Sequence, residues 1–172
     1  MSAITSAAMK VAVSGGALAI VLFRTREVPR ERMGLVRPLI VPSLLFVVVY
    51  LGWMLASDAA LGWRGAWDWR PWLAAPLAAS AMRVIAVCFL GPAVEELLFR
   101  GFLFGWLQPR IGTAFTIAAT AASWAVLHYE YSWQVILVIV VDGILLGLAR
   151  WRTRSVITPI VMHMLYNLYA IW

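Results

Sequence analysis

A chain of 172 residues that is 63% hydrophobic, with ten Trp and a mean hydropathy of +0.87, lies well above the roughly 45–50% apolar content of a soluble domain. Only 13% of the residues are charged, so the apolar excess cannot be the core of one water-soluble globule, and the chain reads as an integral membrane protein. Much of the net charge of +6 sits in Arg24, Arg26, Arg30, Arg32 and Arg37 and in Arg150, Arg152 and Arg154, beside apolar runs, where it sets membrane orientation and argues against nucleic-acid binding.

The first apolar run, residues 3–23, has no basic leader followed by a small-residue cleavage site, and is expected to be a retained span. Lys10 interrupts it. The thirteen residues after Lys10 reach only about 20 Å as a helix, so this lysine must snorkel or face protein. Residues 39–57 form the clearest span, nineteen residues without a charge. Residues 58–71, with Gly62, Gly65, Pro71 and three Trp, suit an interfacial loop.

Residues 72–107 are too long for one upright span and tight for two. Gly91 and Pro92 lie in their middle, and Pro removes a helix hydrogen bond, so a break or kink is expected there. Cys88, inside the same run, reads as a small buried hydrophobe. Further apolar runs follow at 113–129, 133–149 and 155–172. Ser155 and Pro159 suit a helix start, and Gly143 and Gly147 offer a face for close helix packing.

The expected fold is therefore an all-α transmembrane bundle of six or seven spans in one integral membrane domain, residues 1–172. With six spans, both Arg clusters and Arg110 fall on one side, as the positive-inside rule favours. A reversal at Gly91 and Pro92 would make seven and would bring Glu95 and His128 to one face.

Ionisable groups within a span cost about 2.5–3.5 kcal/mol each, and so ask for an explanation. Glu96 and Arg100 are four apart and share a helical face, while Glu95 points about 100° away and is left over. The two histidines, His128 and His163, both fall in apolar helical runs, and Asn167 follows His163 by one turn. Brought together, Glu95 could act as general base on water that His128 orients, with His163 and Asn167 as donors to the oxygen of a carbonyl under attack. No G-x-S-x-G or Ser/Lys pattern marks Ser123 as a nucleophile. Zinc could be drawn from Glu95, His128 and His163, although H-E-x-x-H is absent.

These residues resemble the CPBP family, the CAAX-protease and bacteriocin-processing (Abi) intramembrane endopeptidases, which carry E-E-x-x-x-R, F-x-x-x-H and H-x-x-x-N on successive helices. The matching positions are Glu95, Glu96 and Arg100, with Phe99 and Gly101 completing an F-R-G ending; then Trp124 to His128; then His163 and Asn167. The resemblance covers residues 84–172 as a catalytic core. It implies a glutamate protease without metal or other cofactor, in which Glu95 and His128 activate water, Glu96 and Arg100 support the site, and His163 and Asn167 form the oxyanion hole. Trp124 stands where the family usually has Phe, a swap that keeps a bulky wall. The expected substrate is a membrane-anchored protein or peptide, and the expected location a bacterial or archaeal cell membrane. Two other readings stay open: a membrane scaffold or immunity-type protein without activity, and an ion transporter.

Overall fold

The computed structural model describes residues 2–66, 72 and 74–171. Among them are seven α-helices and no strand: α1 Ala3–Thr25, α2 Arg30–Met33, α3 Ile40–Leu61, α4 Leu77–Ile111, α5 Thr113–Val126, α6 Trp133–Thr153 and α7 Ile157–Ala170. The all-α membrane bundle expected from the sequence is the observed architecture. Helices α1, α3, α4 and α6 are each long and apolar enough to cross a membrane, whereas α5 and α7 are fourteen residues each. Only 11% and 17% of the apolar windows of α1 and α3 are buried, against 44% for α6, which puts α6 at the centre and the other two toward lipid.

The chain does not reverse at Gly91 and Pro92. Helix α4 runs through them unbroken for 35 residues, so the stretch that a seven-span arrangement would split in two is one helix. The expected kink is replaced by two wider π turns, Ile85–Leu90 before the Gly-Pro pair and Leu97–Leu103 after it. Such turns re-route backbone hydrogen bonds around a missing proline N–H without ending the helix. Reversal was not needed for alignment either. Glu95 lies seventeen residues before Gly112 and His128 sixteen after it, so the antiparallel hairpin of α4 and α5 already sets them at one depth.

Asp58 belongs to the last turn of α3, and the aromatic loop continues as a 3₁₀ turn, Trp63–Ala66; the rest of that stretch, with Trp67, Trp69 and Pro71, and the terminal Trp172 lie outside the described residues. Asp58 accepts hydrogen bonds from the Arg64 N–H and the Tyr169 hydroxyl, and Trp63 stacks on Tyr166 with ring centroids 4.8 Å apart. At the opposite end, Val156 N–H donates to the Gly34 carbonyl and Arg32 Nε to that of Gly105, joining the segment after α1 to the ends of α4 and α6.

Helices α5 and α6 approach closely along Gly143 and Gly147. A Cβ on Gly143 would lie 2.9 Å from both Cα and Cβ of Ala121, and one on Gly147 3.1 Å from Ile117. Backbone cannot yield as a side-chain tip can. Gly143→Ala is therefore expected to destabilise the protein by about 1–3 kcal/mol, read as earlier unfolding in detergent micelles. Gly52→Ala, where nothing lies within 4 Å, serves as the control and should leave stability unchanged or raise it.

Candidate active site

The two adjacent glutamates of α4 meet different surroundings. Glu96 is fully buried: its Oε1 accepts Arg100 Nη1 at 3.0 Å and contacts His163 Nδ1 at 2.9 Å. Arg100, also fully buried, donates its Nη2 to the Gly143 carbonyl at 3.1 Å. A single carboxylate thus holds α4 to α7, and its arginine partner holds α4 to α6. Glu96 Oε2 and Arg100 Nε are buried without a hydrogen-bond partner among the described residues.

Glu95, half-buried, turns instead into a cavity of about 310 Å³ that is also lined by Trp124, His128, His163 and Asn167. All four residues read from the sequence as the chemical set therefore face one space. His128 stands in the turn after α5 and not within the helix, as the apolar run around it suggested; α5 ends at Val126. Its Nδ1 lies 3.0 Å from the Trp124 carbonyl, which can only accept, so Nδ1 carries the proton and Nε2 has a free lone pair when the ring is neutral. Asn167 donates one amide N–H to the Val87 carbonyl at 2.8 Å, inside the first π turn, and keeps a second N–H.

Trp124 links these groups. Its indole Nε1 donates to Glu95 Oε2 at 2.6 Å. Its ring meets His128 and His163 edge-on, with centroids 5.1 and 5.2 Å away, and the Arg100 guanidinium carbon lies 4.8 Å from its centroid. A phenylalanine could repeat the ring contacts but has no donor for Glu95. The sequence identified the residue as a wall; the N–H contact needed the fold.

Sequence reasoning also missed Asp142, Tyr50, Tyr131 and Tyr166, which line the same cavity. Asp142 is almost wholly buried and accepts Trp53 Nε1 at 2.9 Å. Its signal was present, since it is the one acid in an otherwise uncharged run of α6, and the cost of a charge in a span applies to it as to Glu95. Tyr131 lies in the α5–α6 turn, where burial, then the charges of Glu130 and Glu95, push its phenol above the ordinary value. It therefore presents a protonated hydroxyl at neutral pH. Among the described residues no group of three or more His, Cys, Asp and Glu is disposed to hold a metal ion.

The site residues from Glu95 to Asn167 fall within the stretch of the chain that has known relatives. Residues 76–169, just over half of the chain, match the family described as type II CAAX prenyl endopeptidase, Rce1-like. The membrane-embedded CAAX protease MroQ of Staphylococcus aureus (strain USA300) is 33% identical over 94 residues, a stretch covering 51% of this chain. That stretch is 37% of the relative's length. No solved structure matches the chain.

Proposed function

Because the chain belongs to the Rce1-like family of type II CAAX prenyl endopeptidases, we propose that it is an intramembrane endopeptidase that hydrolyses a peptide bond of a membrane-anchored protein or peptide. The observation that carries this reading is the convergence of Glu95, His128, His163 and Asn167 on one cavity, beside an ion pair that occupies the second glutamate.

In this reading Glu95 takes a proton from a water molecule that the unprotonated Nε2 of His128 orients. The hydroxide adds to the scissile carbonyl carbon, the C–N bond then breaks, and the proton passes from Glu95 to the leaving amine. Charge on the carbonyl oxygen meets the remaining Asn167 N–H and His163 Nε2, the latter a donor when its ring carries both protons. Glu96 fixes the His163 ring through Nδ1, and Arg100 holds Glu96 in place.

Trp124 acts as a positioning residue. Trp124→Phe keeps the aromatic wall and removes the bond to Glu95, leaving the carboxylate free to rotate. A fall in kcat of about ten- to a hundredfold is expected, since small misplacements of a reacting group cost up to about 10²-fold. KM should change little, which a general loosening of the cavity would not produce.

The function itself is tested by substrate trapping. Membranes from cells expressing the wild-type chain or Glu95→Gln are compared for anchored proteins that remain uncut only with the variant. Accumulation of at least one such protein, with wild-type cleavage persisting in the presence of a metal chelator, is the expected result. Identical membrane proteomes would favour a scaffold without activity, and chelator-sensitive cleavage would return the site to metal chemistry.

A further inference from the structure

Nine arginines gather at one end of the bundle: Arg24, Arg26, Arg30, Arg32 and Arg37 around α2, Arg110 at the end of α4, and Arg150, Arg152 and Arg154 at the end of α6. Hydrogen bonds from Arg32 to Gly105 and from Arg150 to the Arg32 carbonyl tie these segments into a single face. At the other end, Asp58 closes α3 and Arg64 follows it, Arg83 lies in the first two turns of α4, and the α5–α6 turn holds Glu130 and neither Lys nor Arg. Short loops rich in arginine stay in the cytoplasm, and acidic residues do little to alter that rule. By that rule the Arg-rich face is the cytoplasmic one.

The catalytic cavity lies toward the opposite face. Its lining includes the buried Trp63, beyond the end of α3, and the half-buried His128 and Tyr131, beyond the end of α5. Toward the arginines it is closed by packed layers: Glu96 and Arg100, then Phe104, Leu146 and Ala149, all with no exposed surface. Behind them the Arg150 guanidinium donates to the carbonyls of Arg100 and Arg32. The cavity of about 420 Å³ on the cytoplasmic face, between Gly105 and Arg154, is a separate space that shares no residue with the catalytic one. A third recess, about 370 Å³ between α1 and α4, does share Ser14, Ala86 and Val87 with it, and is lined also by Met9, Lys10 and Val13. Met9 and Val13 are exposed on the outer surface of the bundle, so this recess adjoins lipid. Lys10 sits two turns into α1 from the Arg-poor end, within snorkelling reach of that interface.

We infer that the site is loaded from the extracytoplasmic side, and that its substrate class is a membrane-anchored peptide segment whose scissile bond has already crossed the bilayer, approaching beside α1. This rests on the endopeptidase reading for the word substrate, but the orientation of the cavity does not depend on it. A carboxy-terminal tail that remains in the cytoplasm would meet the sealed arginine face.

The experiment uses the full chain with Cys88→Ala, carrying either Glu130→Cys or Arg152→Cys, both at exposed positions. Intact cells are treated with a membrane-impermeant maleimide. Labelling of Glu130→Cys at least tenfold above that of Arg152→Cys is expected, with the second reaching the same level only after permeabilisation. The reverse order, or equal labelling before permeabilisation, overturns the inference. In a second arm, a palmitoylated quenched peptide library is added to sealed vesicles of wild-type chain in either orientation. Hydrolysis by right-side-out vesicles supports the inference, and hydrolysis confined to inside-out vesicles overturns it. Expected labelling with hydrolysis in neither orientation keeps the cavity outward-facing and refutes the endopeptidase reading.

Discussion

Glu95→Gln lowers hydrolysis of a membrane-anchored substrate by about 10²- to 10⁴-fold, the range that a positioned general base contributes, while the protein remains folded. The substitution is close to isosteric, and the amide oxygen can still accept from Trp124 Nε1. Glu95 is only half-buried and takes no part in the Glu96 to Arg100 pair, so the bundle does not depend on its charge. Turnover by purified variant and wild type in proteoliposomes, together with their helical content and unfolding in detergent, separates the two effects. Retained turnover would remove Glu95 from the chemistry.

The second large effect falls on stability. Arg100→Met deletes the partner of a carboxylate that has no exposed surface, and leaves Glu96 with His163 alone. The Gly143 carbonyl loses its donor as well. Removing one member of a buried pair costs about 3–5 kcal/mol, most of it for the charge left behind. Unfolding of Arg100→Met in mixed micelles should shift by that amount. The combined variant Glu96→Gln with Arg100→Met should recover part of the loss, because the stranded carboxylate is gone. If the double variant is less stable than Arg100→Met alone, the pair is not what holds α4 to its neighbours.

Much of this architecture could be read before folding was considered. Apolar runs of about the right length mark α1, α3 and α6 to within a few residues, and the i, i+4 spacings of Glu96 with Arg100 and of His163 with Asn167 place each pair on one face. What periodicity cannot supply is the neighbour that a face meets. The bond from Trp124 to Glu95 joins residues 29 apart on different helices, and only the α4–α5 packing creates it. Gly91 and Pro92 misled for a related reason: their local preference is to break a helix, and the bundle overrides it by widening two turns. Asp142 was passed over because it has no partner in sequence, its contact being the indole of Trp53 on α3.

The hairpin about Gly112 has arms of nearly equal length, and the π turn Leu97–Leu103 on the α4 arm suits the one-residue difference between them. The ladder is thus geared: each residue added to a single arm would turn its reactive side chain by about 100° and raise it about 1.5 Å. A full turn inserted on both rails at once would keep Glu95 and His128 level with each other. It would still carry that pair about 5.4 Å along the bundle away from His163 and Asn167 on α7, so the third rail locks the length of the other two.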